Sequence, residues 1–213
     1  MTDKPILFSA PMIRAILEGR KTQTRRVIKP QPEKDLDPMT VIAAWDAGFI
    51  DVKCPYGRIG DRLWVRERFI VTGFSEGWEE VKESGFEFES ASCQVKYIAD
   101  ECFRDIEELT VGGCANEIEQ ARRAYLSGRG PSIHMPRWAS RITLEITDIR
   151  VERLQDITQA DACAEGVLLK SWEACDSFNT TPERQFCKLW KDINGPESWD
   201  KNPFVWVIEF KKI

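Results

Sequence analysis

Apolar positions recur along the chain in two rhythms. In "PILFSAPMIRAILEGRKTQTRRVI" (residues 5–28), Met12, Ile13, Ile16 and Leu17 fall at helical spacing between two short β-prone runs. The segment therefore predicts strand, helix, strand, with Pro11 in the helix's first turn and Gly19 just past its end. In "ASRITLEITDIRVERL" the rhythm changes to alternation, with Ile142, Leu144 and Ile146 set against Thr143 and Glu145, as in a half-buried strand.

"CPYGRIGDRLWVRERF" predicts a turn followed by one strand. Leu63, Val65, Glu67 and Phe69 would share one face, and Trp64, Arg66 and Arg68 the other. "CQVKYIA" is a further strand, and "PFVWVIEFKKI" a β-prone closing strand. "ANEIEQARRAYLSG" predicts an amphipathic helix with Ile118, Ala121 and Tyr125 on one side and Gly128 after its end. "TQADACAEGV" opens with Thr158 as N-cap and Asp161 three residues on, a pattern like the capping box. "TPERQFCKLWKDIN" starts another helix, with Thr181 as cap and Pro182 at the first position.

Between these elements, "KPQPEKDLDP" reads as a loop. Residues 72–89 shift toward Gly, Ser and Glu, as in an exposed insertion. Strands mixed with short helices predict an α+β fold, a small curled sheet or barrel. A chain of 213 residues is long enough for one well-buried domain or a small domain with a large insertion.

Composition narrows the function classes. With 42% hydrophobic and 10% aromatic residues the chain is globular in type, and its net charge of −5 excludes a generic polyanion binder. No apolar run reaches the roughly 20 residues that span a bilayer, and the start lacks the pattern of a secretion signal. Seven cysteines without a CxxC pair fit free thiols in a reducing compartment, so a cytoplasmic protein is expected. Cys54, Cys93, Cys102 and Cys114 are spaced too irregularly for a structural zinc site, and His134 is the one histidine. No metal or other cofactor is expected.

Against the acidic total, "GRKTQTRR" (residues 19–26) is densely basic. A threonine hydroxyl becomes a nucleophile only when a base takes its proton. A lysine is such a base where burial or neighbouring cations lower its pKa. Lys21, beside Arg20, Arg25 and Arg26, meets the second condition, and Thr24 lies three residues on. On residue types alone the same segment reads first as a solvated basic loop, and next as a polyanion contact through its arginine forks. A regular strand would turn Lys21 and Thr24 to opposite faces, whereas a bulge or loop would bring them together. Two further stretches interleave arginine with tryptophan: Arg58, Arg62, Arg66 and Arg68 around Trp64, and Arg137 and Arg141 around Trp138. Such patterns hold a base by stacking and its phosphate by charge, or else are core tryptophans with surface ion pairs.

"ILEGRKTQTRR", "GDRLWVRERF" and the closing "VWVIEFKKI" resemble the ASCH-domain family, whose fold is the PUA-like β-barrel. "CPYGRIGDRLWVRERF", "SIHMPRWASRITLEITDIRVERLQDIT" and "NPFVWVIEF" are similar to the larger ASCH proteins of phages and prophages, and the likeness covers nearly the whole chain. It implies one PUA-like domain over residues 1–213 with peripheral helices and an insertion over 70–135 that contains a helix. Small bacterial N4-acetylcytidine amidohydrolases of that superfamily share a "GRKTxTxR" segment. Their catalytic lysine and threonine fall on Lys21 and Thr24, and "LQDITQADACAEGV" puts Glu165 in the place of their catalytic glutamate. The resemblance implies a metal-independent amidohydrolase for a modified nucleoside or nucleobase, with Arg20, Arg25, Arg26, Trp64, Arg66, Glu67, Arg137, Trp138 and Arg141 as substrate contacts. Other members bind RNA or modified bases without catalysis, so a non-catalytic module for RNA or single-stranded DNA is the alternative.

Overall fold

The computed structural model describes residues 3–32, 43, 53–81, 86–110, 117–128, 130–167 and 181–213. Residues 33–38 of the expected proline-rich loop and Cys114 lie outside them. Eight strands and four helices are described, an α+β fold. They are β1 (Asp3–Leu7), α1 (Ala10–Leu17), β2 (Gln23–Val27), β3 (Arg62–Arg66), β4 (Phe69–Val81), β5 (Phe86–Tyr97), β6 (Phe103–Thr110), α2 (Glu117–Ser127), β7 (Thr143–Arg153), α3 (Gln159–Ala164), α4 (Pro182–Asn194) and β8 (Phe204–Lys212). One sheet has five strands in the order β1-β3-β7-β8-β2, and the other has three, β4-β5-β6. Among the described residues the larger sheet is open, with β1 and β2 at its ends. No helix among them is long and apolar enough to cross a membrane.

The chain divides into two compact units: Met1–Lys4, Ala15–Leu63 and Thr143–Ile213 form the first, and Pro5–Arg14 and Trp64–Ile142 the second. In the first, β8 lies between β7 and β2 and pairs antiparallel with both. A strand flanked on both sides and covered on both faces needs continuous apolar residues rather than alternation. Phe204, Val205, Trp206, Val207 and Ile208 meet that need, and all are buried. The core of this unit joins Leu154, Ile157 and Ala162 to Phe186 and Trp190 of α4 and to Val205 and Val207. Thr181 caps α4 as expected, its hydroxyl accepting from the Arg184 N–H, with Pro182 in the first turn.

In the second unit, β4 and β5 form a long hairpin whose outer strand is β6. Residues 72–81 and 86–89, expected as an exposed insertion, are strand. Their cross-strand hydrogen bonding outweighs the weak β-propensity of Gly, Ser and Glu. Phe69, Val71, Val95, Tyr97, Leu109 and Ile118 form this unit's core. Ile118 and Ala121 of α2 are buried as their spacing predicts, while Tyr125 is exposed at its edge against the Phe74 ring. "RLWVRERF" does not run on as one strand. β3 ends at Arg66 and β4 starts at Phe69, and Trp64 is buried together with Leu63 and Val65. The break frees Glu67 from strand pairing, so its main-chain N–H donates to the Met135 sulfur while its carboxylate turns inward to Arg141.

Candidate functional site

The basic segment follows the end of α1. Gly19 takes φ +73°, a conformation that glycine adopts without strain, and there the chain reverses into Arg20 and Lys21. Lys21 forms an isolated antiparallel bridge with Glu165, and the Thr22 N–H donates to the Ala164 carbonyl. The C-terminal end of α3 thus covers the outer edge of β2, an edge that would otherwise present unpaired backbone groups. Glu165 is the C-cap of α3, and its N–H donates to the Asp161 carbonyl. At the other end of that helix Thr158 and Asp161 form the expected capping box. Gly166 lets the chain leave at φ +87°; a Cβ there would stand 2.9 Å from the Ala15 Cβ and 3.0 Å from the Lys21 Cβ.

Lys21 and Glu165 form a buried ion pair. Nζ lies 2.7 Å from Glu165 Oε2, with side-chain exposures of 0% and 3%. The same amine donates to the Gln23 carbonyl at 2.7 Å and the Glu165 carbonyl at 3.0 Å. Burial pushes the Lys21 pKa below that of an ordinary lysine; Glu165 opposes the change, and Arg26 and Arg25 add to it.

Period-two alternation in the sheet separates the remaining groups. Pairing sets Gln23 opposite Glu209, Thr24 opposite Ile208 and Arg25 opposite Val207, and β7 continues the rows with Asp148, Ile149 and Arg150. One face therefore carries Gln23, Arg25, Asp148, Arg150, Glu152 and Glu209. Thr24 is on the other face with Arg26, Trp206, Ile208 and Ile149, and it is buried. Lys21 precedes the strand and escapes this alternation. Its amine sits at the strand edge on the Gln23 carbonyl, which is the peptide that carries the Thr24 nitrogen.

The polar face holds a connected set of charges. Arg25, with no exposed side-chain surface, places Nη2 2.8 Å from Glu152 and 3.4 Å from Asp161. Its Nη1 stands 3.6 Å from Glu165 Oε1. Arg150 donates to Glu152 at 2.6 Å, Asp161 at 3.2 Å and Gln23 at 3.3 Å, and pairs with Asp148 and Glu209. Burial raises the Asp161 pKa, but hydrogen bonds from Thr158 outweigh it and the carboxyl ends below the usual aspartate value. Arg20, one-third exposed, is tied to Glu18 and donates to the Gly166 carbonyl at 3.1 Å.

The other expected contacts belong to the second unit. Glu67 is buried and accepts two parallel bonds from Arg141, at 2.9 and 3.0 Å. Arg141 also pairs with Asp100 at 2.8 Å and lies over the Tyr97 ring at 4.0 Å. The Arg66 guanidinium covers the Trp64 ring at 4.7 Å and donates to the Ile133 carbonyl. Trp138 packs half-buried against the core of that unit, and Arg137 is exposed. The structure thus brings Lys21, Thr24, Glu165, Arg20, Arg25 and Arg26 into the first unit, and Trp64, Arg66, Glu67, Arg137, Trp138 and Arg141 into the second.

Sequence reasoning missed Arg150, Glu152 and the second role of Asp161. The signal was present in "TDIRVER", where Asp148, Arg150 and Glu152 alternate against Ile149 and Val151. No family model, curated protein or solved structure matches the chain.

Proposed function

We propose that the protein is an ASCH-type, PUA-like member that hydrolyses an acylated nucleobase amide, of the N4-acetylcytidine kind, without a metal, in the cytoplasm. One observation carries this reading: a solvent-free lysine, held 2.7 Å from a carboxylate, sits on the peptide of the threonine three residues on. A buried Lys–Glu pair in a low dielectric can pass its proton along the Nζ–Oε2 hydrogen bond, which leaves a neutral amine able to act as a base. Thr24 Oγ attacks the acyl carbonyl, Lys21 takes the hydroxyl proton, and that proton is delivered to the departing amino group of the base. The acyl–threonine ester is then hydrolysed by water, which releases the acid and restores the hydroxyl. Because Thr24 is buried, the acyl group enters only when the chain around it moves aside.

Arg25 and Arg20 are engaged by carboxylates and carbonyls, which weighs against a purely phosphate-holding role for this segment. The test is incubation of purified protein with N4-acetylcytidine and related acylated nucleosides, with product followed by chromatography. Turnover is expected, with a loss of about 10⁴-fold or more in Thr24→Ala, as for other removed nucleophiles. Undiminished turnover in Thr24→Ala overturns the assignment of the nucleophile. No turnover, together with RNA or single-stranded DNA binding that weakens steeply with salt, replaces the enzyme with a binding module.

A further inference from the structure

We propose that Arg25 is a positioning residue, a second cation set against Glu165 that governs how tightly Lys21 holds its proton. For its catalytic consequence this rests on the amidohydrolase reading; the proton affinity of Lys21 is a property of the folded protein alone.

The two oxygens of Glu165 are used differently. Oε2 accepts from Lys21 at 2.7 Å. Oε1 is buried with no hydrogen-bond partner, and Arg25 Nη1 stands 3.6 Å from it. Nη1 and Nε of Arg25 are themselves buried without hydrogen-bond partners. The far nitrogen, Nη2, is held by Glu152 of β7 and Asp161 of α3. The guanidinium is thus anchored at one end and stands off the carboxylate at the other, close enough for charge but too far for a bond.

Local structure explains how this arises. Asp161 and Glu165 are four residues apart, so both face the same side of α3 and meet one side chain of β2. Asp161 is fixed by its capping box and shared with Arg150, which also grips Glu152. These two carboxylates hold Arg25 back. The charged groups around Lys21 are Glu165, Arg26 and Arg25, and those around Arg25 are Glu152, Asp161 and Glu165. In this dry setting solvent does little to screen the Arg25 charge, and Glu152 and Asp161 offset part of it. It loosens the hold of Lys21 on its proton. An apolar residue at position 25 would leave Lys21 the sole cation on Glu165 and less often neutral.

The test is NMR titration of the Lys21 side chain through its ¹³Cε signal, assigned with Lys21→Met, in wild type, Arg25→Gln and Glu152→Gln. Arg25→Gln is expected to raise the proton affinity of Lys21 roughly tenfold. Glu152→Gln removes an anion and releases Arg25 toward Glu165, so it is expected to lower that affinity several-fold. The acid limb of the pH profile of kcat/KM on the acylated nucleoside moves in the same directions. Shifts of Lys21 in the same direction in both variants, or none in either, overturn the proposal. Should Arg25→Gln fail to fold, Glu152→Gln decides alone, a downward shift supporting the proposal and any other result overturning it. Opposite shifts without turnover uphold Arg25's role and sink the enzyme reading; turnover without shifts does the reverse.

Discussion

Removing one partner of the Lys21–Glu165 pair should cost far more than removing both. At 2.7 Å, with an effective dielectric of about 20, two unit charges attract by about 6 kcal/mol. Desolvation of two groups with 0% and 3% exposure offsets most of that gain. Lys21→Met leaves Glu165 with Arg25 at 3.6 Å as its remaining cation, so a loss of about 3 kcal/mol is expected. Glu165→Leu leaves a buried ammonium near two arginines on the carbonyls of residues 23 and 165, and about 4 kcal/mol is expected. The double variant replaces both ends with apolar groups and should lie within about 1–2 kcal/mol of wild type. Urea unfolding of all four proteins, followed by tryptophan fluorescence and far-ultraviolet circular dichroism, gives the coupling directly, expected near 5 kcal/mol. A coupling below about 1 kcal/mol, or single variants that unfold like wild type, refutes the account of a tight, water-free pair.

Three more outcomes follow from the same geometry. Gly166→Ala forces a Cβ to within 3.0 Å of Lys21 and Ala15 at positive φ, so it should cost about 2 kcal/mol and reduce turnover, measured by urea midpoint and by product release. The unfolded chain binds a proton at Lys21 more tightly than the folded one, so folding stability attributable to Lys21 should rise with pH up to the ordinary lysine value. The wild-type minus Lys21→Met difference across an alkaline series reads that rise, and a flat difference contradicts it. In the second unit, Arg141→Lys keeps the charge but loses both the parallel bonds to Glu67 and the cover on Tyr97, so it should lose about 2–3 kcal/mol in thermal or urea unfolding.

Local signals were legible in the sequence wherever the chain's own neighbours decide the outcome. Pro11 and Gly19 bracket α1, Thr158 and Asp161 cap α3, and Thr181 with Pro182 opens α4; each depends on residues at most a few positions apart. The break after Arg66 and the burial of Trp64 were not legible, because the Glu67–Arg141 pair that accompanies them joins residues 74 apart in sequence. Composition did not show that residues 72–81 and 86–89 are strand, because pairing with a neighbouring strand overrules propensity there. At the site, Lys21, Thr24 and Glu165 were named from motif and resemblance. The charge of "GRKTQTRR" was readable, but not its destination. Arg25, expected against substrate, is committed to three carboxylates that arrive from β7 and α3.

The position of β8 between β7 and β2 has a consequence for how the protein is made. Gln23 pairs with Glu209, so β2 leaves the ribosome with its one strand partner among the described residues almost the whole chain away. At roughly 5–20 residues per second, β2 waits on the order of ten to forty seconds for that partner. The hairpin of β4 and β5 needs no such delay, since its strands are neighbours in the order of synthesis. A strand that waits so long is exposed to wrong pairing. "QTRRV", with two adjacent arginines and one aliphatic residue, is a poor template for aggregation. The arginines of β2 therefore also act as a safeguard during the interval before its sheet exists.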